Sequence, residues 1–464
     1  PSFRTSLFLT TALLLVAGCD QNTQSKSQNE GQDDIAGFFS GYTNDTPPQT
    51  LSGDFLSGQF AQNQSDWDNA SVYFSRILEV SPRDPDVQKR VLALDIGAGH
   101  YDRAIDTARA IVGQNQRDTT LAHLVLSLSL FKDGKYDSSL KEITYLKDDN
   151  LGAAILPILK LWADAGQGRS APAAGATSPS LAYQYVLLAA YKNDKAALAD
   201  LAKNTDFTKT PTTIPRLEQV AKIFARYGER AEAKQIFDAL AAAIPEKAAY
   251  YADLVKATES GDSAKWKNAP LTPQAALSDA MADVAEILSA RYADSSRLFA
   301  QLSLFLNSDN VSALDLLAQI AANNHLYTEA ITYLSRIDTE GDADKKSKII
   351  QSIAQMQVAA GQPDEAIRLL KDLVSDQKNI DAQIQIGEIY RNQDKFAEAL
   401  SAYNAAYTMI GNKITAPYWE LSFARGMTNE RLKNWDDAEK DLKTALSFQP
   451  DQPYILNYLG YSWA

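Results

Sequence analysis

From residue 51 onward the apolar residues recur at intervals of three and four. Ala and Leu abound, and few stretches alternate with the two-residue period of a strand. That spacing gathers apolar side chains on one face of a helix, so the chain predicts amphipathic helices and an all-α fold. The helices also repeat. Ala70, Ala104 and Ser138 lie 34 residues apart, each shortly after an aromatic residue (Trp67, Tyr101, Tyr136). Fuller copies follow. One holds Leu217, Val220, Ala221, Phe224, Gly228, Ala233, Phe237, Leu240 and Pro245. A second holds Ile386, Gly387, Tyr390, Phe396, Ala399, Tyr403 and Ala406. A third holds Gly426, Trp435, Ala438, Leu442, Ala445 and Pro450, and two more centre on Ala330 and Ala366.

A small residue on each helix of a pair lets the backbones approach, and the aromatics fill the gap between them. Proline ends the second helix because it cannot continue one. With these residues at this period, the chain resembles the tetratricopeptide repeat, a helix–turn–helix unit of about 34 residues. The resemblance covers most of residues 51–464 and implies a superhelical solenoid of antiparallel helix pairs. Two stretches depart from it. Residues 163–182 are rich in Gly, Ala, Ser and Pro, and residues 259–273 form another break, so both read as loops. The helices flanking them read as divergent repeats. The expected organisation is an N-terminal array at 51–160, irregular helices and a Gly/Ala/Pro-rich loop at 161–212, and a C-terminal array at 213–464. The final stretch, "PYILNYLGYSWA", opens a repeat that has no second helix. Because solenoids need a polar cap, either the chain is part of a longer array, which is the favoured expectation, or another chain covers its end.

The first fifty residues have a different pattern. Arg4 precedes an apolar run from Leu7 to Ala17, which is long enough for a signal h-region and too short to span a bilayer. Val16, Ala17, Gly18 and Cys19 follow one another, and Cys19 is the single cysteine. This resembles the lipobox of bacterial lipoproteins and implies a signal peptide at 1–18 and a lipidated Cys19. Several buried acyl chains would anchor the protein firmly. Asp20 resembles an inner-membrane retention signal, and the choice between inner and outer membrane stays open. Residues 21–50 are rich in Gln, Asn, Ser and Asp and complete a flexible tether at 19–50, with a reach of roughly 30 Å.

Charge narrows the function. The net charge is -13 with a pI near 4.9, and an acidic chain without a basic run does not suit nucleic acid. No catalytic motif, cofactor fingerprint or metal-ligand spacing occurs. His123 is expected to be a partly exposed helix residue, and His100 and His325 fall at turns. Asp436–Asp437 and Asp148–Asp149 read as helix starts and solvated loops rather than acid–base pairs.

What remains is binding. On repeat geometry the inner, concave face of the last repeats carries Asp381, Ile384, Glu388, Arg391, Glu420, Phe423, Met427 and Glu430. Tyr454, Asn457 and Tyr461 extend it. The candidate partner-binding set is Glu388, Arg391, Glu420, Phe423, Met427, Asn457 and Tyr461. Large apolar groups beside acids and an arginine suit a peptide with apolar and basic side chains. The basic clamp by which some tetratricopeptide proteins hold a terminal carboxylate is not recognisable at these places. The expected function is therefore a non-catalytic scaffold, lipid-anchored on the periplasmic face of a bacterial envelope, with envelope proteins as partners and no small-molecule substrate. Similar lipoproteins imply roles in envelope assembly or in bringing cell-wall hydrolases to a protease. The alternatives are a structural cell-wall-associated lipoprotein and the scaffold part of a larger enzyme.

Overall fold

The computed structural model describes residues 50–114, 119–146, 150–169, 181–210, 212–262 and 271–463, with backbone alone at 150–154, 246 and 461–463. The expected signal peptide, Cys19, Asp20 and the tether lie outside the described residues, as do Asp148 and Asp149.

The described elements are all helical. They are α1 (Leu51–Asn63), α2 (Trp67–Val80), α3 (Pro85–Gly97), α4 (Tyr101–Gly113), α5 (Thr120–Lys132), α6 (Tyr136–Ile143), α7 (Asn150–Gly166) and α8 (Ala182–Tyr191). Then come α9 (Lys195–Asn204), α10 (Ile214–Tyr227), α11 (Arg230–Ala243), α12 (Ala248–Ser260), α13 (Pro273–Ser289), α14 (Ala293–Leu306), α15 (Val311–Asn323) and α16 (Tyr327–Ser335). The last are α17 (Ala343–Ala359), α18 (Pro363–Gln377), α19 (Ile380–Asn392), α20 (Phe396–Met409), α21 (Trp419–Arg431), α22 (Trp435–Phe448) and α23 (Pro453–Trp463). Short 3₁₀ turns join some of them. Neighbouring helices pack as antiparallel pairs, and successive pairs stack into a solenoid.

The turn inside a pair is built the same way many times. A residue in the left-handed region sits two places before the second helix: Gly99, Gly134, Gly228 and Gly361, and also Asn193, His325, Asp394 and Lys433. The next amide then reaches back to a carbonyl five residues earlier, as in Lys395 to Tyr390 at 3.0 Å and Asn434 to Asn429 at 2.8 Å. This closes the first helix with a Schellman-type cap. First helices start on polar caps: Asp84, Asn310, Asp342 and Asn379 each accept a backbone N–H.

The fourth residue of most second helices is the small one; in α9 it is the buried Leu198. Ala70, Ala104, Ala233, Ala330, Ala366, Ala399 and Ala438 are all fully buried there. In the third repeat this place belongs to Ser139, while Ser138 is exposed. The 34-residue spacing slips by one because α5 begins 35 residues after α3. Ser139 and Ser127 exchange hydrogen bonds between hydroxyls and carbonyls at 2.8 and 2.9 Å, which lets two backbones approach closely. His123 is also a correction. It is buried rather than partly exposed, with Nδ1 2.7 Å from Glu142 Oε1 and its ring stacked on Tyr145.

The cores differ along the chain. One continuous apolar core runs from Leu92 to Ile337, whereas the later repeats hold small separate clusters, one at Ala399–Ala424 and another at Leu442–Leu459. The large core exists because α13 and α14 fold back. α14 lies against the first helices α3 and α5, and α13 lies against α7. Polar contacts fasten them across two hundred residues. Tyr101 donates to the Gln301 carbonyl at 2.9 Å, Arg297 Nε donates to the Gly97 carbonyl at 2.8 Å, and Lys132 donates to the Phe305 carbonyl at 2.7 Å. Arg216 on α10 reaches Asp279 at 3.0 Å and Asp283 at 2.9 Å on α13. α14 is buried almost all round, from Phe299 to Leu306, as a helix enclosed by others must be.

Candidate functional site

In a solenoid of helix pairs the first helices line the inner face. Among the N-terminal repeats, α13 and α14 cover part of that face. In the last repeats the inner face is formed by α17, α19, α21 and α23, and no described helix lies over it.

Gly387 sets the local geometry. A Cβ built there would stand 2.5 Å from Tyr403 Cε1 and 2.9 Å from Cζ, so only glycine lets the tyrosine ring press against the backbone of α19. The next residue, Glu388, is half-buried on the inner face and makes no hydrogen bond or ion pair among the described residues. Burial pushes its carboxyl above the usual range; Arg391 opposes the rise and Glu420 adds to it. Arg391 stands one turn on. Its guanidinium Nη1 is 3.9 Å from Met427 Sδ, and its Nε is buried without an acceptor. Tyr403 is fully buried, its hydroxyl has no partner, and burial raises its pKa; the charged groups it feels are Arg391 and Glu388.

A cleft of about 390 Å³ opens beside this group, lined by Arg391, Asn392, Asp394, Phe396, Met427, Arg431 and Tyr458. The structure thus brings Glu388, Arg391, Glu420 and Met427 together. Phe423 is half-buried. Its ring meets Tyr458 edge-on at 5.8 Å and lies 6.5 Å from Trp419, so it packs one repeat on the next. Asn457 and Tyr454 are exposed on α23, Asp381 is exposed at the start of α19, and Ile384 is half-buried. Glu430 is 3.7 Å from Arg431. The Tyr461 side chain lies outside the described residues.

Sequence reasoning missed Tyr403 and Phe396, which read only as repeat packing positions, and Tyr458, which it did not single out. The signal that could have found Tyr403 is the pair Gly387 and Tyr403, where a ring crosses a bare backbone. Arg425 is a structural residue. It holds Asp441 at 2.5 Å and stacks on Tyr407 at 3.9 Å. A second cleft, about 550 Å³, lies at α1 and α2 and is lined by Leu56, Phe60, Ala61 and Tyr73 and equally by the polar Ser57, Gln64, Asp66 and Asn69. Among the described residues no helix is long and apolar enough to cross a membrane, and no group of three or more His, Cys, Asp or Glu could hold a metal.

The molecule is an α-solenoid with a partly covered N-terminal inner face and an open C-terminal one. Residues 353–417 and 384–453 match the tetratricopeptide repeat family. This segment carries the charged residues and all of the cleft's lining except Tyr458. No curated protein matches the chain. Solved structures align with it at low similarity. YrrB, described as a TPR protein with an unusual peptide-binding site, is 20% identical with a TM-score of 0.30, covering 39% of this chain and 90% of that one. Yeast Tom70 is 13% identical with a TM-score of 0.31, covering 86% and 85%. PilF of Pseudomonas aeruginosa is 12% identical with a TM-score of 0.31, covering 50% and 99%.

Proposed function

We propose that this protein is a non-catalytic scaffold that binds peptide segments of partner proteins on the inner face of its C-terminal repeats. One observation carries the reading. On α19, Glu388 and Arg391 are half-buried and form no ion pair, and Arg391 lines an open cleft with Met427 and Tyr458 on its wall. Charged groups half-removed from water are normally paired. Those left unpaired at a concave, partly apolar surface fit a site that a ligand completes. The covered inner face of the N-terminal repeats directs binding to the C-terminal end.

The reading extends to location. The run from Leu7 to Cys19 supports a lipid-anchored protein on the periplasmic face of a bacterial envelope, with envelope proteins as its partners and a role in assembly or in presenting cell-wall hydrolases to a protease. Expressed with its leader, the wild-type protein should fractionate with membranes and carry lipid on Cys19, and Cys19→Ala should be released into the soluble periplasm. Unchanged membrane association, with no lipid on the mature N-terminus, would sink the anchoring. Binding is tested separately on the full chain with Met427→Ala. That change should weaken peptide capture at least tenfold, about 1.4 kcal/mol, with the helical signal unchanged.

A further inference from the structure

We propose that the cleft lined by Arg391 and Arg431 is a subsite for an acidic side chain, aspartate or glutamate, of a bound peptide. The apolar residue next to that acid packs on Met427 and Phe396. This rests on the peptide-binding reading and assigns its chemistry.

The unmet donors of Arg391 are the first argument. The residue lines the cleft, half-buried, and meets no oxygen acceptor among the described residues. Its Nε is buried without a partner, and its Nη1 has only the Met427 sulfur, at 3.9 Å. A thioether is a weak acceptor, and a guanidinium drawn partly out of water is normally held by oxygen. Other arginines of this chain obey that rule. Arg425 is held by Asp441 at 2.5 Å, Arg216 by Asp279 at 3.0 Å and Asp283 at 2.9 Å, and Arg297 by Glu329. Arg391 departs from it where it faces an open cleft.

The rest of the lining is the second argument. Arg431 reaches the same cleft from the next repeat. It is exposed, and Glu430 lies 3.7 Å from its Nε, too far for a hydrogen bond. Asn392 and Tyr458 add an amide and a hydroxyl, and neither side chain makes a hydrogen bond among the described residues. The only carboxylate on the lining is Asp394, which is exposed and pairs with neither arginine. Two positive charges against one negative therefore face the cleft, in a chain whose net charge is -13. Glu388 and Glu420, the acids that suggested a basic ligand, do not line it.

These groups fit a carboxylate. An arginine fork can pair two N–H groups with both carboxylate oxygens. A carboxylate has about four acceptor sites, so one group can draw on both arginines. A lysine or arginine of the ligand would bring only donors to a cleft already supplied with them. The volume, about 390 Å³, is at the small end of ligand clefts, which run from about 300 to 1,000 Å³. That suits one or two side chains. Phe396 and Met427 come from successive repeats and leave apolar surface beside the donors.

The test uses random peptides displayed on phage with no free C-terminus, selected against the full chain. One enriched peptide is then synthesised with a fluorophore and an amidated C-terminus, along with a version whose aspartate or glutamate is replaced by its amide. Binding is read by anisotropy on the wild type, Arg391→Gln, Arg391→Lys and Arg431→Gln, with thermal melting as a check on folding. Enriched sequences should carry an acid beside an aliphatic or aromatic residue. Neutralising either the peptide acid or Arg391 should raise Kd at least tenfold, and doing both should cost little more than doing one. Arg391→Lys keeps the charge without the fork and should recover part of the loss. Rising salt should weaken the wild-type complex more than the neutralised one. Enrichment of peptides without an acid, enrichment of basic peptides, or an unchanged Kd in Arg391→Gln with its fold intact would overturn the subsite while leaving the groove reading standing. If Arg391→Gln does not fold, the exposed Arg431→Gln decides: a raised Kd supports the subsite and an unchanged one overturns it. If no peptide is enriched, subsite and groove fail together.

Discussion

Replacing Gly387 by alanine sets two known effects against each other. In a helix interior alanine is favoured over glycine by about 1 kcal/mol, so the change should stabilise α19 if space allows. It does not. The new methyl would stand 2.5, 2.6 and 2.9 Å from three carbons of the Tyr403 ring, where carbon atoms normally rest about 3.5–4.0 Å apart. The ring must withdraw by about 1 Å, yet Tyr403 is fully buried among Ala399, Ala406 and Leu421. Overpacking of this kind costs about 1–3 kcal/mol, and a rigid ring clash belongs at the upper end. Subtracting the helix gain leaves a net loss of about 2 kcal/mol. Gly460 is the internal control. It lies in α23, where a methyl added to it would meet nothing within 4 Å, so Gly460→Ala should stabilise by up to about 1 kcal/mol. Repeat arrays need not unfold in one step. The assay is therefore hydrogen exchange resolved to α19–α20 and α23, supported by urea unfolding. Shrinking the ring in Gly387→Ala/Tyr403→Leu should recover part of the loss. If both alanine variants gain stability to the same extent, the ring does not lie on Gly387 and the description of the site is wrong.

Three further outcomes follow from the fold. Arg216→Ala removes a buried guanidinium from the half-buried Asp279 and Asp283 and should cost up to about 3 kcal/mol in urea unfolding; a loss below about 1 kcal/mol would mean that this link does not hold α13. Burial raises the Asp283 carboxyl to about 6, from 3.8, against the pull of Arg216, so the folded state holds that proton more tightly than the unfolded one. Its contribution to stability is then full below about pH 4 and lost as the pH rises through about 6. Between pH 7 and pH 5 the wild type should gain stability relative to Asp283→Asn, and a relative loss would contradict the assignment. Ala399 is fully buried where the two helices of a pair are closest, and Ala399→Leu should lose about 1–3 kcal/mol by thermal melting.

The parts of the fold that were legible in the sequence are those set by local spacing. Ala233, Ala399 and Ala438 announced the close approach of helix pairs because only small residues fit there. Ser138 misled by one position, since an added residue between α4 and α5 leaves no mark in the period; the three-residue step from Tyr136 points to Ser139. The return of α13 and α14 was not legible. Tyr101 and Gln301 are joined across two hundred residues, and nothing in either neighbourhood names the other. The inner-face residues of the site were legible as positions, because the repeat fixes which way each points. Their partners were not. Phe423 is packed by Tyr458 from the next repeat, and Tyr403 becomes part of the site only because Gly387 lets its ring through.

The central claim is that the inner face of α19, α21 and α23 holds a peptide. The most direct measurement is a photo-crosslink from a peptide selected by phage display against the full chain, mapped by mass spectrometry. The account predicts adducts at inner-face residues such as Glu388, Arg391 and Met427, lost when unlabelled peptide competes. Competable adducts confined to the second helices α18, α20 and α22, or to the cleft at α1 and α2, would contradict it.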